Sequence, residues 1–449
     1  MIRAFAAMAL VSASPLPALA KEAPAAASAP RQFGVPVKEI TSPGGIKAWL
    51  VSDSTVPMIV LSAYWKGGVT SDPKGLQGAT SMMTDMLTEG AGDMDAEAFK
   101  VRLEELNMSL GYGAGWDGVS MGLTTLTKNR DAAFEMARLT LVSPRFDAEP
   151  LARLKRQSEI GIKQRETNPG YIANLALDNA QIPGHPYGAR TTLASVTAVD
   201  KNAMLARRAA IMARDNLLIT VVGDIDEKTL GALLDKTFGA LPVHATAPAA
   251  PDTQAKPGPA LIVKALPQPQ SVVLFSAPGI GYDDPDWAPL VVANYILGGG
   301  GFSSRLMDEV REKNGLVYGI STGPSVRDHL ATIRGSAQTK NASVQKAIDM
   351  IKAEITRLHD QGATAQEVAD AKTYLTGSFA LSLDGDSKIA DVLSDYQVIG
   401  KPVDYINKRN SLIEAVTPAD VDRAIKRLFV ADRFVFVVVG QPDGLKPTP

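Results

Sequence analysis

Cysteine is absent from this chain of 449 residues, and histidine occurs four times. The lack of cysteine excludes disulfide bonds, thiolate metal ligands and cysteine nucleophiles together. The histidines are His185, His244, His329 and His359, and no two of them lie within a helical turn of each other. Two neighbouring histidines on one helix are therefore not available as metal ligands.

The chain also lacks an excess of charge of either sign. Lys and Arg total 46, Asp and Glu total 48, and the formal net charge is −2. Such a balance provides no electrostatic basis for binding nucleic acid or an anionic membrane surface. Hydrophobic residues make up 45% and charged residues 21%, as in ordinary globular proteins. The length allows two or three domains with a sizeable core.

Long apolar runs are lacking as well. The run at the N-terminus, from Ala4 to Val11, is too short to span a bilayer. It follows the basic Arg3 and precedes an Ala-x-Ala pattern that ends at Ala20. This arrangement predicts a signal peptide over residues 1–20 and a periplasmic location. The alternative for the same residues is a disordered alanine-rich tail.

Two segments with the composition of linkers divide the remaining chain. Residues 21–33 are rich in Ala and Pro and are interpreted as a flexible lead-in. Residues 242–259 include the run Ala-Thr-Ala-Pro-Ala-Ala-Pro and a Gly-Pro pair, which are typical of a linker. The predicted domains are therefore 34–241 and 260–449.

The two predicted domains share a pattern. Apolar, strand-like runs that end in glycine close them at 218–223 and 435–440. Near their starts, strand-like runs at 59–65 and 272–277 each precede a turn with an Asp-Pro pair. Matched points are separated by about 215 residues throughout, and such constant spacing indicates duplication of one unit.

Helix-length segments lie between the strand-like runs, for example 95–107, 131–142 and 344–361. Thr197 and Thr417 are predicted to open matching helices as N-caps. Alternation of this kind predicts an α/β or α+β fold whose sheets are covered by helices.

Several motifs carry a resemblance to a known family. The chain reads Leu-Gly-Gly-Gly-Gly-Phe-Ser-Ser-Arg-Leu over 297–306 and Val-Arg-Glu-Lys-Asn-Gly-Leu-Val-Tyr over 310–318. His-Pro-Tyr-Gly stands at 185–188, and the segment 67–87 begins with a Gly-Gly pair and contains an Asp-Pro pair. Together these stretches resemble the inverted-motif zinc peptidases, the pitrilysin and mitochondrial processing peptidase family. The resemblance implies two homologous mixed α/β domains in a clamshell around a central chamber.

The chain departs from this family at the metal. Family members bind zinc through two histidines of His-x-x-Glu-His, and the glutamate acts as general base. The corresponding positions here are Ser81 and Asp85 for the histidines and Thr84 for the glutamate. The third ligand position falls near Gly161, and Glu159 would point to another helix face. A hydroxyl is a poor zinc ligand and threonine cannot act as a base near neutral pH, so we expect no zinc on this chain.

Three other candidates are interpreted as structural. Asp85 and Glu89 are an i, i+4 carboxylate pair that could hold a hard cation, but we interpret the pair as a solvated helix face. His185 is expected to hydrogen-bond within its loop. Ser321 lies in a Gly-x-Ser-x-Gly motif, but the nucleophile elbow of hydrolases needs a strand-to-helix turn. The alternating residues that follow favour a turn or an edge strand instead.

A run of four glycines lies in the motif at 297–306. It lacks the Gly-Lys-Ser/Thr ending of a phosphate-binding P-loop. We therefore predict a helix end followed by a packed or mobile turn, as a chamber or hinge element. The run comprises Gly298, Gly299, Gly300 and Gly301.

Arg311 and Tyr318 match an arginine and a tyrosine that the family places opposite the zinc. There the pair positions the peptide carbonyl and stabilises the oxyanion, a role that suits a permanent cation and a phenolic donor. The resemblance implies a non-zinc subunit of a heterodimeric zinc metalloendopeptidase, inactive alone, that completes the site of a partner carrying His-x-x-Glu-His and zinc. The alternative is a structural or peptide-binding scaffold subunit without a catalytic role.

We expect the mature protein to begin at Lys21, because signal peptidase cleaves after an Ala-x-Ala pattern. Intact-mass spectrometry of the protein from a periplasmic extract measures the start. Ala20→Leu should leave the chain uncleaved, and a wild-type protein that retains residues 1–20 would contradict the prediction.

Overall fold

Strands form two separate mixed sheets in the computed structural model, which describes residues 34–445. The predicted signal peptide and the lead-in, residues 1–33, lie outside the described residues. The strands are β1 (Lys38–Thr41), β2 (Lys47–Ser52), β3 (Met58–Lys66), β4 (Ser109–Ala114), β5 (Gly118–Leu126), β6 (Leu217–Gly223), β7 (Ala260–Ala265), β8 (Gln270–Pro278), β9 (Val317–Arg327), β10 (Leu330–Lys340) and β11 (Val435–Gly440).

Helices cover both sheets. They are α1 (Ala79–Met86), α2 (Ala96–Glu105), α3 (Arg130–Val142), α4 (Ala148–Arg165), α5 (Pro169–Gln181), α6 (Leu193–Ala198), α7 (Lys201–Ile211), α8 (Glu227–Phe238), α9 (Trp287–Asn294), α10 (Val344–Gln361), α11 (Ala365–Gly377), α12 (Asp386–Val398), α13 (Tyr405–Glu414) and α14 (Pro418–Leu428). Two π-helical segments, Tyr295–Gly299 and Met307–Lys313, follow α9. Within residues 34–445, a helix with the length and apolar character of a membrane span does not occur.

The two sheets have the same topology. The strand orders are β1-β2-β6-β3-β5-β4 and β7-β11-β8-β10-β9, which correspond strand for strand once β1 is set aside. In each sheet one pair is parallel, β2 with β6 and β7 with β11. The other pairings are antiparallel. This agreement confirms the predicted mixed α/β class and the duplicated unit.

The closing strands β6 and β11 read as continuous apolar runs because both faces of each sheet are covered. Every residue of β11 is buried. Each strand ends at a glycine that has no room for a side chain. A Cβ at Gly223 (φ 130°) would lie 2.1 Å from the Met58 carbonyl oxygen, and one at Gly440 (φ 158°) would lie 2.2 Å from the Ser271 hydroxyl.

The predicted helix ends are partly confirmed. Helix α10 stops at Gly362, whose φ of 72° suits glycine. Thr417 is the N-cap of α14 and shares a capping box with Asp420. The matching prediction for Thr197 is wrong, because its hydroxyl donates to the Leu193 carbonyl inside α6. Asp200 caps α7 instead, since its carboxylate accepts from the third backbone N–H of that helix at 2.8 Å.

Each half of the chain lends one helix to the sheet of the other half. Helix α12 packs on the first sheet, where Leu393 joins an apolar cluster with Trp49 and Val222. Helix α5 packs on the second sheet, where Leu177 joins a cluster with Val437. The two sheets are therefore tied to each other by reciprocal helix exchange.

The connection between the halves, residues 239–259, contains no helix or strand. It is nevertheless attached to both sides. The Pro251 carbonyl accepts from His185 Nε2 at 2.7 Å, and Asp252 bonds His329 Nδ1 at 2.7 Å. We retain residues 242–259 as the proposed boundary between the domains.

Gly223→Ala should lower the free energy of unfolding by about 2–3 kcal/mol, because the new Cβ would meet the Met58 carbonyl in a backbone conformation that side chains avoid. Urea denaturation measures the change. Gly122→Ala is the matched control, since Gly122 lies in β5 with no atom within 4 Å of its Cβ position. Equal midpoints for the two variants would show that this close approach is not a constraint.

Candidate functional site

Helix α1 carries the motif positions Ser81, Thr84 and Asp85, and Asp72 fixes its start. The Asp72 carboxylate accepts hydrogen bonds from the backbone N–H groups of Gly78 at 2.7 Å and Thr80 at 3.1 Å. Its side chain also forms a buried ion pair with Arg207 at 3.4 Å, and Arg207 donates to Ser71 at 2.6 Å. Burial raises the pKa of Asp72 against the opposing effect of these bonds. This network sets the position of α1.

The motif residues on α1 offer no zinc site. Thr84 is 2% exposed, and its hydroxyl donates to the Ser81 carbonyl at 2.8 Å. The Ser81 hydroxyl makes no hydrogen bond to residues 34–445, and Ser81 lines a cavity. Asp85 is exposed on its helix, although partial desolvation raises the pKa of its carboxyl. Of the three motif positions, Asp85 is therefore the one that carries a carboxylate.

The third ligand position carries no side chain that could bind a metal. Gly161 is exposed on α4, and no atom lies within 4 Å of its Cβ position. Glu159 is paired with Lys163 at 2.9 Å, and Glu89 is paired with Arg153 at 2.6 Å. Within residues 34–445 no three His, Cys, Asp or Glu side chains are grouped to hold a metal. The residues at the family's zinc positions do not fit zinc.

Arg311 lies in the π-helical segment Met307–Lys313, which packs against β9. Its guanidinium stands 4.8 Å from the ring centroid of Phe302. Its Nη1 donates to Glu312 at 2.8 Å. The side chain is one-third exposed, so part of the guanidinium faces solvent.

Tyr318 lies in β9, which pairs on one side with β10 and forms the edge of the second sheet. Its neighbour Val317 is 6% exposed, whereas Tyr318 is 54% exposed on the opposite face. The Tyr318 hydroxyl has no hydrogen-bond partner among the described residues. The structure thus presents Tyr318 and Arg311 from two elements in contact.

The glycine run follows α9 in a tight arrangement. A Cβ at Gly298 would lie 2.5 Å from Thr322 Oγ1, so the glycine allows close approach to β9. Gly301 adopts a φ of 56°, and the next residue, Phe302, is 69% exposed. The start of the run, at Gly298, is thus packed against the strand that carries Tyr318. Its role as a chamber or hinge element stays a prediction.

Two alternatives from the sequence are resolved by the fold. Ser321 lies within β9 opposite Ser336, so no strand-to-helix turn exposes it as a nucleophile. His185 Nδ1 accepts from the Tyr187 N–H at 3.2 Å, and its Nε2 faces the Pro251 carbonyl. The expectation that His185 bonds locally is confirmed.

Two cavities were missed by sequence reasoning. One, of about 440 Å³, opens beside Ser81 and is lined by Arg165, Arg190 and Arg327. The other, of about 1260 Å³, is lined by both halves of the chain and includes Asp328. No motif relates these residues, because they come from segments far apart in sequence.

A family profile described as "Peptidase M16 inactive domain" matches residues 198–375. The "Non-peptidase homolog YmxG" of Helicobacter pylori is 25% identical over 389 residues, which are 86% of this chain and 89% of that protein. The chain is similar to the M16 peptidase family, whose profile covers residues 198–375 of it. Both the profile and this relative are described as inactive or non-peptidase, and the predicted resemblance to the family is confirmed.

Solved structures agree with this assignment. A crystal structure described as a peptidase M16 inactive domain from Pseudomonas fluorescens is 27% identical, with a TM-score of 0.84 over 92% of this chain and 100% of that chain. The periplasmic protease PqqL from Escherichia coli has a TM-score of 0.78 at 13% identity. Its match covers 91% of this chain and 45% of that chain, and shows the fold alone.

We expect the purified protein to retain less than stoichiometric zinc after incubation with excess zinc and desalting, because a serine, one carboxylate and a glycine stand at the three ligand positions. Inductively coupled plasma mass spectrometry measures the metal. A homologue carrying His-x-x-Glu-His is the positive control. One zinc per chain, displaced by a chelator, would contradict this expectation.

Proposed function

We propose that this protein is the non-zinc subunit of a heterodimeric zinc metalloendopeptidase. Tyr318 is exposed on β9, and Arg311 is partly exposed on the segment that packs against β9, in a chain whose motif residues do not fit zinc. This observation carries the proposal. One half of a hydrolytic site is thus present without the other. A homologous partner with His-x-x-Glu-His would supply the missing half.

The proposed task of Arg311 and Tyr318 is to stabilise negative charge on the peptide carbonyl. In the complex, zinc held by the partner supplies an activated water. The guanidinium and the phenol of this chain then donate hydrogen bonds to the oxygen on which charge develops. The free Tyr318 hydroxyl is suited to this role, since it has no competing partner among the described residues.

The edge strand β9 is the proposed support for the peptide. Its outer edge is not paired within residues 34–445, so an extended peptide can add to it as a further strand. Tyr318 lies near the start of β9, and the glycine run packs on the same strand at Thr322. A peptide held there would lie beside the proposed catalytic pair.

Two findings from the comparisons support pairing and export. This chain matches 45% of PqqL, so that protein has length for a second unit of similar size. PqqL is described as a periplasmic protease, and the N-terminal sequence here predicts a signal peptide over residues 1–20. We therefore place the proposed heterodimer in the periplasm.

A scaffold without a catalytic role is the second candidate. It is favoured by the state of Arg311, whose guanidinium is engaged by Glu312 at 2.8 Å and by the ring of Phe302. A cation that is already paired contributes less to binding an oxyanion. In this case the chain would only bind peptide and partner.

Mixing the chain with a homologue that carries His-x-x-Glu-His should produce chelator-sensitive peptide cleavage. Arg311→Ala or Tyr318→Phe should then lower kcat by about 10²–10³-fold, as expected for the loss of an oxyanion donor. Arg156→Ala and Tyr374→Phe are matched controls, since both residues are exposed and lie outside the proposed pair. Turnover of a fluorogenic peptide measures the effect.

Full activity of the Arg311→Ala/Tyr318→Phe double variant would favour the scaffold. Chelator-sensitive cleavage by the isolated chain would overturn both candidates.

A further inference from the structure

The cavity of about 440 Å³ beside Ser81 has a size suited to a small ligand or the end of a peptide. Ser81 stands where zinc-bearing relatives of the family place a histidine. Tyr171 and Asp178 reach the cavity from α5, Arg165 from the end of α4, and Arg327 from the end of β9. Both halves of the chain therefore build it.

Two acidic residues line the cavity, and both are already neutralised. Asp178 is 3% exposed and forms ion pairs with Arg190 at 2.6 Å and Arg334 at 2.9 Å. One carboxylate is thus shared by two guanidinium groups. Asp72 is paired with Arg207 in the network that fixes α1.

Arg165 and Arg327 form no ion pair within residues 34–445. Arg165 donates to the Thr191 carbonyl and lies 5.0 Å from the Tyr171 ring centroid. Arg327 stacks between aromatic rings, at 4.4 Å from Trp116 and 4.8 Å from Tyr187. The lining therefore carries an excess of positive charge.

The Arg327 guanidinium is partly buried and lacks a full set of hydrogen bonds within residues 34–445, which is energetically unfavourable. Its Nη1 is buried and has no hydrogen-bond partner among the described residues. Burial lowers the pKa of Arg327, and the nearby Arg334 lowers it further. Asp178 and Asp117 oppose this effect from a distance, but among the described residues neither forms an ion pair with Arg327. A buried guanidinium without an ion-pair partner is unfavourable, so a bound oxyanion would stabilise it.

Two further lining groups are free to donate. The hydroxyls of Ser81 and Tyr171 have no hydrogen-bond partner within residues 34–445. Arginine side chains present forked donors that match the two oxygens of a carboxylate. A cavity with donors and cations in excess selects an anion and rejects a metal cation.

We propose that this cavity binds the carboxylate of a peptide, either the C-terminal carboxylate or that of an acidic side chain. The choice of a peptide as ligand rests on the proposed function, whereas the preference for an anion rests on Arg165, Arg327 and Ser81 alone. The position that binds a cation in active relatives is thus an anion site here. A peptide end would be anchored beside α1 and not cleaved there.

Binding to the full isolated chain tests the proposal. Fluorescence anisotropy would compare a dye-labelled octapeptide without acidic side chains, its C-terminally amidated form, and the amidated form with one glutamate. We expect a carboxylate in either place to strengthen binding on the order of tenfold or more over the amide without glutamate. Inorganic phosphate should compete with the bound peptide, and added salt should weaken binding.

Variants assign the site. Arg165→Gln and Arg327→Gln should each weaken carboxylate binding on the order of tenfold. Ser81→Asp should abolish carboxylate binding through charge repulsion. Ser81→Asn introduces a neutral side chain of the same size as Asp and should have a much smaller effect. Arg156→Gln is the control, because Arg156 is exposed on α4 and does not line the cavity. If Arg327→Gln does not fold, judged by circular dichroism, Ser81→Asp decides the question at a half-buried position.

Equal binding of the acid and the amides would overturn the proposal, as would unchanged affinity in the Arg165→Gln and Ser81→Asp variants. Binding of phosphate without binding of carboxylate peptides would overturn the assignment of the ligand. These measurements need no partner. Their failure therefore leaves the contribution of Arg311 and Tyr318 in trans untouched, and failure of the mixing experiment leaves this site untouched.

Discussion

The exchange of helices α5 and α12 is the contact on which the arrangement of the chain depends. Each sheet is covered on one face by a helix from the other half, so neither half can bury its strands alone. Helix α5 meets the second sheet through Leu177 and the cavity beside Ser81 through Tyr171 and Asp178. Because one helix serves both contacts, the cavity is fixed by the same packing that joins the halves.

The support of α1 comes from residues outside the motif positions. Asp72 and Arg207 hold the start of the helix through buried charges and backbone hydrogen bonds. Thr84 satisfies its own hydroxyl within the helix. The metal positions could therefore change without loss of the helix, since its stability comes from packing and polar contacts of protein groups.

Local patterns predicted local structure well. The closing strands and the stop at Gly362 follow from apolar runs and a glycine conformation that few neighbours influence. The prediction for Thr197 failed because Asp200, three residues on, is a competing cap nearer the helix start. The cavity could not be predicted, since Arg165 and Arg327 meet only after the halves have packed together.

The attachment of residues 239–259 to both halves bears on how a peptide would enter the proposed heterodimer. His185 and His329 hold this segment against both halves. Separation of the halves would break these bonds together with the two exchanged helix contacts. Motion within one chain is thus a costly way to admit a long substrate, whereas an interface between two chains can part while each chain keeps its fold. In the proposed heterodimer, admission would then be governed by the affinity between the subunits, and so by their concentrations.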